Sequence, residues 1–151
     1  MNLTEEQEKK ILNLDVSGWG GFDLELAAAL GFTRESARFY DAVNPAGKRF
    51  EFKKQASQQW IDLYKLSQLS AEEKLITVLF FIHKDGKIIK IYETNYEKLI
   101  KSMGMKAYDL KAISKLYQRK AMSKAVQMKS PLNFSQIRNF KLIWEIKSLE
   151  S

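Results

Sequence analysis

The chain has 151 residues, of which 45% are hydrophobic, and its formal net charge is +7. This length suits one domain with a sizeable core and is too short for two domains of ordinary size. The absence of Cys excludes disulfides, thiolate catalysis and cysteine-ligated zinc, and a single His cannot form a histidine-rich metal site. The first residues lack a secretory pattern, and no apolar run approaches a membrane span. We therefore expect a cytoplasmic protein with no membrane partner.

Helix signals occur along the whole chain. Thr4 and Gln7 form a capping-box pattern that predicts a helix to about Leu14. The leucine- and alanine-rich segment 22–30 predicts a second helix, which Gly31 ends. Further helices are predicted at 95–103 and 105–128. Residues 55–69 are ambiguous, because the spacing of their apolar side chains is helical while their Ser- and Gln-rich start is also typical of a loop.

Strand signals lie between these helices. Two runs around a Lys-Asp-Gly turn predict a buried hairpin, and shorter alternating runs predict further strands. The predicted strands are 38–43, 48–54, 76–83, 87–92 and 138–146. Together the elements predict an α/β (α+β) fold with a central mixed β-sheet flanked by helices. The three tryptophans are interpreted as packing residues.

Positive charge is concentrated in the C-terminal half. Residues 1–30 carry six acidic and two basic side chains, whereas residues 98–141 carry eleven basic side chains and a single acidic one, Asp109. Such a field attracts phosphates and favours a nucleic-acid partner, although lysine-rich helices are equally a common solubility device. The basic residues are Lys98, Lys101, Lys106, Lys111, Lys115, Arg119, Lys120, Lys124, Lys129, Arg138 and Lys141.

Asp41, Glu51 and Lys53 form the candidate active site. Successive side chains of a strand point to opposite faces, so Glu51 and Lys53 share one face while Phe50 and Phe52 share the other. The turn-forming segment 44–47 would bring Asp41 back beside Glu51. Two converging carboxylates suit Mg²⁺, and an adjacent ammonium can orient a water or stabilise phosphate charge. A solvated charged hairpin would show the same spacing.

The hairpin resembles the active-site hairpin of the PvuII-like restriction endonucleases, a branch of the PD-(D/E)xK nuclease superfamily. The resemblance rests on Asp41-Ala42-Val43, then Ala46-Gly47, then Glu51-x-Lys53. Upstream, Gly20-Gly21, a helical segment and Gly31-Phe32-Thr33 are similar to the family's lead-in. The resemblance covers roughly residues 18–147. It implies a restriction-endonuclease-like PD-(D/E)xK core within a single nuclease domain, 1–151, with the catalytic and DNA-binding core at 18–147. Two uses are open for the N-terminal helix at 1–17: packing against its own domain, which its apolar residues favour, or part of a dimer interface.

The resemblance also implies the chemistry. It implies a homodimer or higher homo-oligomer that binds double-stranded DNA, requires Mg²⁺ and hydrolyses phosphodiester bonds at a specific site. Asp41, Glu51 and the Phe52 backbone carbonyl would hold the metal, and Lys53 would position the attacking water. Because two carboxylates favour the charged form of a lysine, we expect Lys53 to orient the water and stabilise charge before it acts as a base, unless a bound metal offsets the carboxylates and lowers its pKa. Glu25, on the helix before the hairpin, is an auxiliary candidate.

The sequence departs from the family where the target would be read. The family prototype's consecutive histidines after the lysine motif have no counterpart, so its target sequence cannot be inherited. Amide side chains can contact adenine, and lysine can contact guanine or phosphate, which gives candidate DNA-binding residues in two segments. These candidates are Lys54, Gln55, Ser57, Gln58, Lys129, Ser130 and Asn133.

Two other functions remain open. A homing endonuclease or structure-specific nuclease of the same superfamily would use the basic C-terminal half as an extended phosphate-binding surface. A non-catalytic, basic nucleic-acid-binding module would use the acidic pair only to close a hairpin. These classes differ in whether DNA is cut at all, and in whether the carboxylates and Lys53 meet in the folded chain.

Overall fold

The structure, a computed structural model, describes residues 1–18, 20–55, 59–105, 107–118 and 129–147. The helices are α1 (Glu5–Leu12), α2 (Phe22–Leu30), α3 (Leu63–Ser67), α4 (Tyr96–Ser102), α5 (Ala107–Gln118) and α6 (Phe134–Ile137), with a 3₁₀ turn at Glu73–Leu75. The strands are β1 (Thr33–Arg34), β2 (Ala42–Val43), β3 (Arg49–Gln55), β4 (Gln59–Asp62), β5 (Thr77–Lys84), β6 (Lys87–Asn95), β7 (Lys129–Leu132) and β8 (Lys141–Glu145). None of the helices in these ranges has the length and apolar character that a membrane crossing requires.

A mixed sheet organises the described ranges. Six strands form it in the order β1-β2-β3-β5-β6-β8, and β4 pairs with β7 in a separate two-stranded sheet. Strands β3 and β5 run parallel, with Glu51 opposite Val78 and Lys53 opposite Phe80, whereas the other neighbours are antiparallel. The coarse prediction of a mixed sheet flanked by helices is therefore confirmed.

Hydrophobic side chains cover both faces of the large sheet. Phe50 and Phe52 of β3 pack with residues of α1 and α2 on one face. Val78 and Phe80 of β5 lie on the other face, in a cluster that also holds Tyr96 and other residues of α3, α4 and α5. Because side chains alternate along a strand, the intervening Glu51 and Lys53 point to the face that α4 covers. The predicted division of β3 into an aromatic face and a charged face is confirmed.

Local signals placed most elements correctly. The Thr4–Gln7 capping box is present, and α2 ends at Gly31, whose φ is 75°. The hairpin strands, α4 and the last strand also form, within a few residues of the predicted bounds. The long helix predicted at 105–128 is described only as α5, and residues 119–128 lie outside the described ranges. The ambiguous segment 55–69 holds both β4 and α3.

The strand predicted at 38–43 forms only at its end, as β2. Residues 38–41, the first part of the predicted strand, belong to no strand in the structure. The Glu35 N–H donates to the Asp41 carbonyl at 2.8 Å, and the Phe39 carbonyl accepts from the Tyr96 hydroxyl at 2.7 Å. These contacts bend the chain into Asp41. Strands β1 and β7 and helix α6 were not predicted, because elements this short carry almost no periodicity.

The N-terminal helix packs on its own sheet. Ile11 is fully buried and Leu14 packs in the same cluster, while the N-terminal ammonium lies 3.0 Å from a carboxylate oxygen of Glu93. Leu12 remains 40% exposed. Two of the three apolar residues near the end of the helix therefore serve the fold, and a dimerisation role for this helix stays a prediction.

The turn before β6 requires glycine for two separate reasons. Gly86 has φ 85°, and a Cβ added there would lie 2.1 Å from Asp15 Oδ1 and 2.8 Å from Ser17 Cβ. Gly47 has the same φ but open space around it. We expect Gly86→Ala to lower the free energy of unfolding by about 3 kcal/mol and Gly47→Ala by only about 1 kcal/mol.

Urea unfolding of the two alanine variants checks this difference. Both glycines have φ 85°, so the two alanine variants have the same backbone strain. The additional loss of unfolding free energy in Gly86→Ala therefore measures the steric effect of residues 15–17. Equal losses of unfolding free energy in the two variants would show that residues 15–17 move aside at no cost.

Candidate active site

The hairpin brings the three predicted residues together. The Asn44 side-chain oxygen accepts from the N–H groups of Ala46 and Lys48, at 3.0 and 2.9 Å, and fixes the reversal. The Asp41 N–H donates to the Phe50 carbonyl at 2.8 Å, which places Asp41 at the end of β2 directly beside β3. Residues ten positions apart in sequence thereby become neighbours.

Asp41 is a half-buried carboxyl that binds its proton unusually tightly. Burial, a hydrogen bond to Glu51 and the negative charge of Glu51 together raise the pKa of Asp41 to about 7. The Phe52 N–H, which donates to Asp41 Oδ2 at 2.7 Å, opposes this rise. Two carboxylates this close resist simultaneous ionisation, so the pair retains one proton below about pH 7, and the raised pKa of Asp41 indicates this carboxyl as the group that holds it.

Glu51 is the deprotonated member of the pair. Its side chain is buried, and its Oε2 atom accepts from the Tyr96 hydroxyl at 2.7 Å and from Lys65 Nζ at 3.2 Å. Burial acts to raise the pKa of Glu51, but the hydrogen bond from Asp41 and the charges of Lys53 and Lys65 outweigh it and hold the pKa below its usual value. Glu51 therefore carries the permanent negative charge of the site.

Lys53 behaves differently from the expectation. Burial lowers the pKa of its ammonium, and Lys65 lowers it further, against the opposing attraction of Glu51 and Asp41. The prediction that the carboxylates would dominate is wrong in direction, because spacing along a strand reveals neighbouring charges but not the loss of water around them. A lysine with a lowered pKa is better suited to accept a proton than the sequence suggested.

A cavity of about 210 Å³ adjoins these residues, and we call it the lysine cavity. It lies between β3, the β4–β7 pair, α3 and α4. Its polar and charged lining comprises Glu51, Lys53, Asp62, Lys65, Tyr96 and Lys129. Trp60 also lines it and is 53% exposed, so its interpretation as a packing residue is wrong. Three lysines and two carboxylates line the cavity, so its formal charge is slightly positive, which is compatible with an anionic ligand.

Sequence reasoning missed several residues of this cavity. Lys65 and Tyr96 contact Glu51 from α3 and from the start of α4, and Asp62 accepts from the Tyr64 and Lys65 N–H groups at the start of α3. The capping signal of Asp62 was readable, but no pattern in the sequence connects Lys65 or Tyr96 to β3. Those contacts arise only from tertiary packing.

The predicted DNA-binding residues are scattered. Lys54 points to the face opposite Lys53, where its Nζ donates to the carbonyls of Val16 and Gly18 and lies 4.9 Å from the centre of the Phe22 ring. Gln55 is buried. Neither is placed on the lysine cavity.

The second predicted segment lies closer to the site. Lys129 lines the lysine cavity, and Ser130 follows it on β7, opposite Ile61 of β4. Asn133 is exposed at the start of α6, where its N–H donates to the Gln136 side chain at 2.8 Å. Ser57 and Gln58 lie outside the described residues.

Glu25 is not brought to the site. It is exposed on α2 and lines a different cleft, together with Lys10 and Asp15. Asp23 of the same helix adds to the rise in the pKa of Asp41, although it also lies 3.0 Å from the Arg34 guanidinium. The effect of α2 on the site is therefore a minor electrostatic one, through Asp23 and not through Glu25.

The donor set fits a hard cation. Asp41 and Glu51 supply carboxylate oxygens, and the N–H and C=O of one strand residue point to the same side, so the Phe52 carbonyl faces the edge where its N–H meets Asp41. In the part of the chain that the structure describes, no three His, Cys, Asp or Glu side chains group closely enough to hold a metal ion. Mg²⁺ commonly binds through one or two carboxylates and completes its octahedron with water and phosphate oxygens.

Comparison with known proteins adds no assignment to this geometry. No protein-family model matches the chain, and no curated protein matches it.

Proposed function

We propose that the chain is a Mg²⁺-dependent, site-specific endonuclease of restriction type that hydrolyses phosphodiester bonds of double-stranded DNA. The observation that carries the proposal is the meeting of Asp41, Glu51 and Lys53 at the end of a hairpin. Two carboxylates and an amine of lowered pKa supply a cation site and a proton acceptor at one place. If these were solvated surface charges, the pKa of Asp41 would not be raised and the pKa of Lys53 would not be lowered.

The residues divide the chemistry between them. Asp41, Glu51 and the Phe52 carbonyl would hold Mg²⁺, which would neutralise phosphate charge and favour ionisation of a water. Lys53 would orient the attacking water and accept its proton, since burial already lowers the pKa of this amine. Asp41 must lose its own proton before both carboxylates can act. We therefore expect cleavage to increase as the pH rises through about 7.

The DNA would approach from the lysine cavity. Lys129 lines it, Ser130 lies one residue further along β7, and exposed Trp60 stands on the neighbouring strand. Phosphate contacts from the basic C-terminal half would position the duplex, while base contacts would set the target. Symmetric cutting of both strands favours an isologous homodimer on a palindromic site. The same proposal includes the assignment of the fold to the restriction-endonuclease-like PD-(D/E)xK core.

The test is cleavage of plasmid DNA in Mg²⁺ by the wild type and by Lys53→Met. We expect the wild type to cut and the variant to be at least about 10³-fold slower, because it loses both the charge and the proton acceptor. EDTA should stop wild-type cutting. Undiminished cleavage by Lys53→Met would remove Lys53 from the site. DNA binding alone is not informative, because phosphate contacts are sequence-independent.

One observation favours a second candidate, a non-catalytic nucleic-acid-binding module. The carboxylates already have partners within the protein, since Glu51 accepts from Tyr96 and Lys65, and Asp41 accepts from Phe52. In this function the acidic pair would hold the hairpin, and Lys53 would belong to an anion-binding surface. Salt-dependent DNA binding without cleavage of any substrate in Mg²⁺ would select this candidate.

A further inference from the structure

The Lys65 ammonium competes with a cation for Glu51 at the proposed metal site. Its Nζ atom lies 3.2 Å from Glu51 Oε2, and the Glu51 side chain is only 7% exposed. A divalent cation that binds Glu51 must therefore act on a carboxylate that an ammonium already holds. The side chain of Lys65 is 30% exposed, so solvent screens the ammonium only in part.

The backbone of Lys65 is fixed while its ammonium can move. The Asp62 side chain accepts from the Lys65 N–H at 3.2 Å and anchors the first turn of α3. The ammonium lies at the end of four flexible methylene groups, so it can change position within the lysine cavity. Lys53 and Lys129 line the same cavity. If the Lys65 ammonium were displaced from Glu51, it would remain in the lysine cavity. There it would pair with a bound phosphate instead of with the carboxylate.

We propose that Lys65 is a phosphate-binding residue of the nuclease site, which pairs with Glu51 in the free protein and transfers to a DNA phosphate when a divalent cation takes Glu51. The inference rests on the proposed function, because it requires both a cation at Asp41 and Glu51 and a phosphate in the lysine cavity. Lys65 thereby couples the two binding events. A cation on Glu51 leaves the Lys65 ammonium without its partner, and a DNA phosphate supplies a new one. A phosphate on Lys65 likewise leaves Glu51 unpaired, and the cation neutralises it, so each ligand increases the affinity for the other.

Substituting Lys65 should change cation affinity and DNA affinity in opposite directions. In Lys65→Met without DNA, Mn²⁺ should bind about tenfold more tightly, because the competing charge beside Glu51 is gone. Mn²⁺ is a suitable probe, since it takes the same oxygen ligands as Mg²⁺ and its free form is counted by electron paramagnetic resonance. The titration belongs at pH 8, where Asp41 is mostly deprotonated in the wild type.

DNA affinity is measured separately, in Ca²⁺, by fluorescence anisotropy of a labelled duplex. Lys65→Met should bind about fivefold more weakly, and the slope of log affinity against log salt should decrease by about 1, as expected for one lost phosphate contact. Lys10→Met is the matched control, because Lys10 lies 3.3 Å from Glu6 in an exposed pair on α1 and its loss changes the net charge equally. That control should leave Mn²⁺ affinity unchanged.

A measurement on the wild type avoids any dependence on how the variant folds. Acetylation of lysine amines, quantified by peptide mass spectrometry, should modify Lys65 several-fold faster after Mn²⁺ is added, while Lys10 reacts at a constant rate. Equal Mn²⁺ affinity of wild type and Lys65→Met, or a Lys65 reactivity that Mn²⁺ leaves unchanged, would overturn the inference and leave the nuclease proposal standing. A wild type that binds no Mn²⁺ would overturn both.

Discussion

Replacing Asp41 with Asn is expected to abolish DNA cleavage and, at the same time, to stabilise the metal-free protein at pH 8. Asn keeps an oxygen that can accept from the Phe52 N–H, which lies 2.7 Å from Asp41 Oδ2. It removes a charged ligand of the proposed metal site, so we expect cleavage to fall by at least about 10³-fold, equivalent to about 4 kcal/mol of transition-state stabilisation.

The gain in stability follows from the proton on Asp41. Its pKa is about 7 in the fold, against about 3.9 in an unfolded chain, so the unfolded state loses this proton at a lower pH. The folded state therefore loses stability as the pH rises from about 4 through 7, and Asn does not titrate. Allowing for solvent screening, the variant should gain about 2 kcal/mol at pH 8 and little at pH 4.

Urea unfolding at pH 4 and pH 8 measures this difference, with Asp15→Asn as a control of opposite sign. Hydrogen bonds from the Ser17 hydroxyl and N–H lower the pKa of Asp15, so its ionised form stabilises the fold and its replacement should lower stability at pH 8. An Asp41→Asn variant that is destabilised at pH 8 would contradict the raised pKa. One that still cuts DNA would contradict the metal site.

Replacing Glu51 with Gln should be costly to the fold as well as to activity. Gln can still accept from the Tyr96 hydroxyl, but Lys65 loses its partner at 3.2 Å and partly buried Lys53 loses its strongest attraction. Breaking a buried ion pair from one side leaves the other charge uncompensated. We expect a loss of about 3 kcal/mol in the free energy of unfolding at pH 7, and no cleavage.

The pH dependence reports Lys53 when it is measured in the Asp41→Asn background, which removes the titration of Asp41. Without Glu51, the pKa of Lys53 should fall further, so the unfolded state binds more protons than the fold and stability rises with pH. The deficit of Glu51→Gln should therefore shrink between pH 7 and pH 9. Adding Lys65→Met should recover part of the deficit, because it removes the other uncompensated charge. A deficit that is constant with pH and unaffected by the second substitution would indicate a packing defect instead.

Local sequence patterns determine how much of this site can be foreseen. Alternation along β3 predicted that Glu51 and Lys53 would share a face, and the turn at Asn44 predicted that Asp41 would return beside them. Both follow from interactions within about a dozen residues. The hairpin could therefore be predicted from the residues alone.

The surroundings of the hairpin could not be predicted in this way. Lys65 and Tyr96 reach Glu51 through the packing of α3 and α4 against the sheet, and sequence spacing contains no information about that contact. The pKa of Lys53 depends on water excluded by the same packing. Trp60 lies on a short strand opposite Pro131 of β7, about seventy residues away in sequence, so no local pattern indicates its exposed position beside the lysine cavity.

The parallel pairing of β3 with β5 has a consequence for the order of folding. The β5–β6 hairpin is local and can close early, whereas β3 meets β5 only after the chain from Gln55 to Thr77 has crossed over. Non-local pairing of this kind is slow, because the entropy of loop closure is lost before any contact compensates for it. Local contacts of one hairpin place Asp41 beside Glu51, whereas Lys65 and Tyr96 reach Glu51 only through the non-local packing of α3 and α4. On the proposed function, we therefore expect a partly folded chain to contain the acidic pair without the complete site, and to leave DNA intact until folding is complete.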